Sequence, residues 1–236
     1  MSIVAEGLCK FYGRTAALNG VSLKVPQGGF LAVFGPNGAG KTTLIRVLST
    51  LSKSSKGRVL IEGYDVQKEG ERVRGKLGVI SHETFLYDDL TAVENLMFYG
   101  RMYGLEDLKT RVSKALHEVG LGARVRDRVG TFSRGMKQRL SIARADLHDP
   151  PIMFLDEPYA GLDQQAIEML TGMLGRLKNR GKTIVMTTHN LEMGRAMSDQ
   201  ILLLDRGTVV YRSDTPSIDL EGLRTAYRMY VGGKRR

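Results

Sequence analysis

The sequence predicts an α/β fold with a mainly parallel sheet, antiparallel strands at the N-terminus and an inserted helical subdomain. Three observations carry this. Before about residue 90 and after about residue 150, short apolar runs bounded by Gly and Pro alternate with segments of helical period, the pattern of strands joined by crossover helices. The first 25 residues instead alternate apolar and polar positions, as half-buried strands do. Between them, residues 91–150 keep a period of about 3.6.

Taken in order, Ile3-Val4-Ala5 and Val21-Ser22-Leu23-Lys24-Val25 flank the turn-rich Tyr12-Gly13-Arg14. Pro26-Gln27-Gly28-Gly29 turns the chain into Phe30–Phe34, an unbroken apolar run that reads as a fully buried strand. A glycine loop, Gly35 to Gly40, leads into an amphipathic helix with apolar residues at 44, 45, 47 and 48. Short strands come next at Gly57–Gly63 and Leu77–Ile80, around a polar connection. Helices are expected over Ala92–Tyr103, Leu108–Val119 and Met136–Leu147. After them come strands at Ile152–Leu155, Thr183–Thr187 and Gln200–Leu204, with a helix over about 164–179. No internal repeat and no long linker breaks the chain. Residues 1–236 therefore read as one domain, with 1–90 and 151–236 forming the α/β core and 91–150 the helical subdomain.

Composition narrows the possible functions. Cys9 is the only cysteine, so there is no disulfide framework and no Cys-rich metal site, which suits a reducing compartment. Apolar runs such as Ile152–Leu155 and Ile201–Leu204 fall far short of the roughly 18 residues of a membrane span, and the start lacks the pattern of a secretory signal. The net charge of +10 lies in two places: residues 98–139 hold ten Lys/Arg and four Asp/Glu, and residues 221–236 hold five and one. Such an excess favours polyanions, whether nucleic acid, anionic lipid or nucleotide phosphate, and is equally the mark of a solvated basic surface. The tail Gly232–Arg236 reads as a loose end that could reach a membrane surface.

Two segments carry chemistry. Gly35-Pro36-Asn37-Gly38-Ala39-Gly40-Lys41-Thr42 fits G-x-x-x-x-G-K-[ST] between a buried strand and an amphipathic helix, the setting of a phosphate loop. Its glycines let backbone N–H groups turn toward phosphate oxygens, and the helix N-terminus adds partial positive charge. Lys41 is placed to hold the β- and γ-phosphates, Thr42 to ligate Mg²⁺, and Thr43 to bind on the α-phosphate side. Ile152–Leu155 ends in Asp156-Glu157, two carboxylates at a strand end. Asp156 is the candidate Mg²⁺ ligand, through water, and Glu157 the candidate general base. Together these define a phosphate-loop NTPase core.

With both motifs in place, the chain resembles the ATP-binding subunit of an ABC transporter. Phe132-Ser133-Arg134-Gly135-Met136-Lys137-Gln138-Arg139 is similar to that family's signature, with Arg134 and Met136 departing from the commonest residues. Ser133 is an N-cap candidate, and Gly135 allows close backbone approach at a helix start. The resemblance implies that Ser133, Arg134 and Gly135 meet a nucleotide held by a second subunit, and that Tyr12 stacks on adenine. It also implies that Asp163, in Ala160-Gly161-Leu162-Asp163, links the two nucleotide sites, and that His189 contacts the γ-phosphate. Where the family carries a Gln that touches Mg²⁺ and the attacking water, this chain has Ser81-His82-Glu83. His82 is aligned with that position as metal ligand and catalytic group, titrating near neutral pH, with Glu83 the alternate occupant.

The same resemblance implies an ATP- and Mg²⁺-dependent hydrolase that dimerises on ATP, most simply as a homodimer. It drives separate integral membrane permease subunits and through them sits peripherally on the cytoplasmic face of the membrane. Permeases would dock near residues 83–103, where Phe98, Tyr99 and Tyr103 read either as a docking face or as core. His82 and the Arg-Gly-Met signature resemble the ATP-binding subunit of the cytochrome c maturation system, which implies haem handling. The alternative is an exporter of drug or lipid. A soluble ABC ATPase acting on nucleic acid or ribosomes fits less well, since the chain has neither tandem ATPase domains nor long coiled coils, and no nucleic acid is expected as partner.

Overall fold

A computed structural model describes residues 1–81 and 84–231. The N-terminal alternation builds a hairpin of β1 (Ile3–Tyr12) and β2 (Thr15–Val25). β1 is longer than its apolar start suggests, because a register irregularity at Gly7 (φ 58°) lets the strand bend and continue. With β4 (Lys56–Ile61) and β5 (Tyr64–Asp65) it forms an antiparallel sheet of order β2-β1-β4-β5.

The second sheet comprises β3 (Phe30–Phe34), β6 (Leu77–Ile80), β7 (Ile152–Asp156), β8 (Thr183–Thr188), β9 (Gln200–Asp205) and β10 (Thr208–Asp214). Its order is β10-β9-β3-β8-β7-β6, parallel except for the β9–β10 hairpin at one edge. Burial of β3 on both faces explains its unbroken apolar run. Leu31 and Val33 face α1 (Lys41–Leu48) and the antiparallel sheet, while Ala32 and Phe34 face α7 (Leu191–Met197) and α8 (Leu220–Tyr230).

Between β6 and β7 run α3 (Ala92–Met102), α4 (Leu108–Glu118) and α5 (Arg134–Asp146), close to the helices expected from period. With α6 (Gln164–Asn179) they share a core that reaches Ile80, Met153, Leu155 and Met186 on the sheet. A capping box starts α3: Glu94 N–H donates to Thr91 Oγ1 at 3.2 Å, and Thr91 N–H donates to Glu94 Oε2 at 2.8 Å. The polar connection before β6 holds the short α2 (Gly70–Arg74). Phe98, on α3, and Tyr103, just past its end, prove to be partly covered surface residues, each 40% exposed.

The ends of α5 and α6 meet at a buried charge network. Lys182, 4% exposed, donates to Asp149 Oδ1 and Pro150 O at 2.7 Å and lies 2.9 Å from Asp146 Oδ1. Beside it the His148 ring stacks on Tyr103 with centroids 3.9 Å apart.

Candidate active site

Parallel register brings three strand ends to one level: Phe34 of β3 pairs with Thr188 of β8, and Asp156 of β7 with Thr187. Everything the sequence singled out on those strands therefore emerges at one edge, where ligands of open α/β sheets bind.

The 35–40 loop takes its shape from contacts that leave no room for side chains. A Cβ on Gly35 would collide with Leu204 O, and one on Gly40 with Ala17 O. Gly38 (φ 78°) and Gly40 (φ 103°) adopt backbone that other residues rarely take. Within the loop Ala39 N–H donates to Pro36 O at 3.1 Å, and Asn37 and Gly38 form its exposed crest. Lys41, Thr42 and Thr43 are the first three residues of α1, so their N–H groups lack intrahelical partners and point out of the helix start. Lys41, 6% exposed, folds over the loop and donates to Gly35 O at 2.7 Å and Pro36 O at 3.2 Å.

Lys41 Nζ also lies 3.2 Å from Glu157 Oε1. The other carboxylate oxygen of Glu157 accepts from the His189 backbone N–H at 3.3 Å and sits 2.9 Å from His189 Nδ1. One carboxylate thus bridges the lysine and the histidine. Glu157 is held there at φ 49°, a left-handed conformation that costs a non-glycine residue on the order of 1 kcal/mol. Thr187 fixes it: Glu157 N–H donates to Thr187 Oγ1 at 3.1 Å, and that hydroxyl donates to Asp156 Oδ1 at 2.6 Å. Thr187 is a site residue that sequence reading passed over in favour of His189, although it stands in the same Thr-Thr-His run.

A phosphate-bearing nucleotide with Mg²⁺ fits this donor set. The loop offers backbone N–H groups and an ammonium, while Thr42 and the 3%-exposed Asp156 offer the few oxygens Mg²⁺ takes from protein when phosphates supply others. No group of three or more His, Cys, Asp or Glu that could hold a metal by itself occurs among the described residues.

Ser133 caps α5, its Oγ accepting from Met136 N–H at 3.2 Å. Among the described residues no hydrogen bond or ion pair joins Ser133, Arg134 or Gly135 to the 35–43 loop. Asp163 caps α6, its Oδ1 accepting from Ala166 N–H at 2.8 Å. Tyr12 stands 51% exposed near the hairpin turn, with Lys10 Nζ 5.1 Å from its ring centre. His82 and Glu83, the two candidates for the metal-contacting position, lie outside the described residues, as does the tail Gly232–Arg236.

A glycine loop opening a helix under a buried lysine, beside a strand-end Asp-Glu pair and a histidine, defines a phosphate-loop nucleotide hydrolase. Residues 18–160 match the family model described as ABC transporter, and the chain belongs to that family as an ATP-binding ABC-type ATPase. It is 37% identical over 208 residues to the linearmycin resistance ATP-binding protein LnrL of Bacillus subtilis, covering 87% of this chain and 67% of that protein. Over 214 residues it is 37% identical to the doxorubicin resistance ATP-binding protein DrrA of Mycobacterium tuberculosis, covering 89% and 65%. The chain thus spans about two thirds of the length of these relatives. Its structure superposes with a TM-score of 0.83 and 27% identity on an ATP-binding cassette solved as a dimer in a post-hydrolysis state with ADP and Pi, covering 90% of this chain and 98% of the other.

Proposed function

We propose that this chain is the ATPase of an exporter of drug-like or lipid-like compounds, working as a pair on separate membrane permease subunits. The observation that carries the ATPase half is the convergence of Lys41, Asp156, Glu157 and His189 at the ends of β3, β7 and β8. The export half is supported by relatives named for antibiotic and drug resistance. Those names favour the exporter over haem handling, which rested on His82 and the Arg-Gly-Met signature.

In this reading Gly35 to Thr43 cradle the phosphates, with Lys41 neutralising charge at the β- and γ-positions. Thr42 and Asp156 hold Mg²⁺, which when bound supplies further neutralisation of phosphate charge. Glu157 accepts a proton from the attacking water, and His189, already hydrogen-bonded to it, orients the γ-phosphate side. Phosphoryl transfer needs placement and electrostatics more than covalent chemistry, and these residues provide both. Tyr12 offers its exposed ring to adenine. Ser133 and Gly135 present the start of α5 to the nucleotide of a second copy, and Asp163 sets the loop between. Separation of the signature from its own phosphate loop is what a composite site between two subunits requires, and the similar cassette solved as a dimer supports it. The helices of residues 91–150 serve as the subdomain that moves with the signature, and residues 1–90 and 151–236 as the nucleotide-binding core. No helix among the described residues is long and apolar enough to cross a membrane. Membrane association, at the cytoplasmic face, falls to the permeases.

The test is Glu157→Gln. The variant should bind ATP, lose turnover by more than about a hundredfold and elute as an ATP-dependent dimer by light scattering. Turnover at the parental rate would remove Glu157 from the chemistry. Recovery of a permease with the tagged chain from solubilised membranes of its host, followed by drug accumulation in cells lacking it, tests export; recovery of cytochrome c maturation proteins instead would restore haem.

A further inference from the structure

Arg134 stands where the family's signature carries a different residue, and its setting in this chain is specific. It opens α5, whose first turn contains no acidic residue, so its charge works against the helix dipole. Among the described residues it makes no ion pair. Instead the guanidinium lies flat on the backbone of Gly161: a Cβ built there would collide with Nη1 and fall 2.6 Å from Cζ and 3.1 Å from Nε. Gly161 has φ 69°, and only its bare Cα gives a planar group this seat.

Two further contacts tie the same helix to the same stretch of chain. Gln138 Nε2, one turn along α5, donates to Pro158 O at 3.1 Å. A Cβ on Gly135 would lie 3.2 Å from Ala166 Cβ, at the start of α6. In the segment between Glu157 and α6, Tyr159 is buried in the helical core beside Thr171, while the backbone around Gly161 is held by Ala160 N–H donating to Glu157 O at 3.1 Å and Leu162 N–H donating to Tyr159 O at 3.3 Å. Glu157 itself sits in a disfavoured backbone conformation at the start of that segment. A strained residue keeps its place only while its surroundings over-determine it.

Resting on the ATPase reading above, we propose that Arg134 is a positioning residue acting within its own chain. Its guanidinium clamps Gly161, so that the loop carrying Glu157 and the signature helix move as one body. The work is done by the flat face of the group rather than by its charge. A pull on α5 is then a pull on Glu157, which joins nucleotide closure to the placement of the attacking water.

Hydrogen exchange on the full chain without nucleotide decides the clamp independently of catalysis. In Arg134→Ala the amides of Ala160 and Leu162 should exchange about tenfold faster, and Arg134→Lys should not restore them, because an ammonium cannot lie flat on the glycine. Unchanged exchange, or full restoration by lysine, overturns the proposal. Its consequence is read in turnover: Arg134→Ala and Gly161→Ala should each lower kcat about tenfold while affinity for trinitrophenyl-ATP holds, and the double variant should be no slower than the slower single one. Additive losses, or a loss confined to affinity, would show that Arg134 acts elsewhere. Parental turnover in Glu157→Gln would defeat the ATPase reading instead, and the exchange data would still judge the clamp.

Discussion

Lowering the pH should destabilise this chain through one ring, His148. It stacks on Tyr103 at an interplanar angle of 10°, and its Nε2 lies 3.2 Å from Leu77 O, which fixes the proton on Nε2 in the neutral ring. Among the described residues Nδ1 is buried with no hydrogen-bond partner, so a second proton there has no acceptor among them. Burial, opposed by the Leu77 carbonyl and assisted by Lys182, pushes the ring from 6.5 down to about 4. The folded value lies below the unfolded one, so the unfolded chain takes the proton first. Stability that is complete above pH 6.5 is lost as pH falls, and the loss levels off once pH passes the folded value of about 4. Between pH 8 and pH 5 proton linkage gives about 2 kcal/mol, and allowing for solvent screening of the partly exposed ring leaves about 1–2 kcal/mol. Urea unfolding of the parent and of His148→Gln at both pH values measures this. The variant should be less stable at pH 8, having lost the stack, yet its drop on acidification should be smaller by that amount. Equal drops would refute the reasoning.

Three other perturbations test the packing. Gly35→Ala forces a methyl against Leu204 O and 3.0 Å from Ala39 Cβ, and should weaken trinitrophenyl-ATP binding more than about tenfold while costing about 1–3 kcal/mol in thermal stability. Lys182→Met leaves Asp146 and Asp149 to the half-exposed Arg180 alone, and urea titration should show a loss of about 1–2 kcal/mol. Thr91→Ala removes the cap of α3 and should cost about 1 kcal/mol by the same assay, with nucleotide binding unchanged.

Legibility of the sequence depended on how far each feature is local. The phosphate loop and Asp156-Glu157 could be read because a glycine spacing and an apolar run each declare their own setting, and the register of β3, β7 and β8 then does the rest. α6 begins at Gln164 as expected because Asp163 caps it, which is a local event. The bridge from Lys41 through Glu157 to His189 could not be read, since it joins three segments through one carboxylate at an unusual backbone angle. β10 and α8 escaped for a related reason. Their burial comes from partners such as Ile201, Leu203 and Phe34, so the segments themselves are only weakly apolar. Phe98 and Tyr103 stay open in the sequence between docking face and core because an aromatic suits either, and both come out 40% exposed, Phe98 edge-on to Tyr87 and Tyr99 and Tyr103 stacked on His148.

The turn between β9 and β10 has a bearing on how the chain matures. Gly207 N–H donates to Ala39 O at 2.9 Å, and Gly207 O accepts from Asn19 N–H at 2.8 Å, while Leu204 O closes over Gly35. The phosphate loop is therefore moulded by residues about 170 positions further along. During synthesis the loop emerges with Ala17 and its own Ala39–Pro36 bond already at hand, but the wall formed by Leu204 and Gly207 is added only when the β9–β10 hairpin has docked. A chain cut short before that hairpin should therefore bind trinitrophenyl-ATP much more weakly than the full chain.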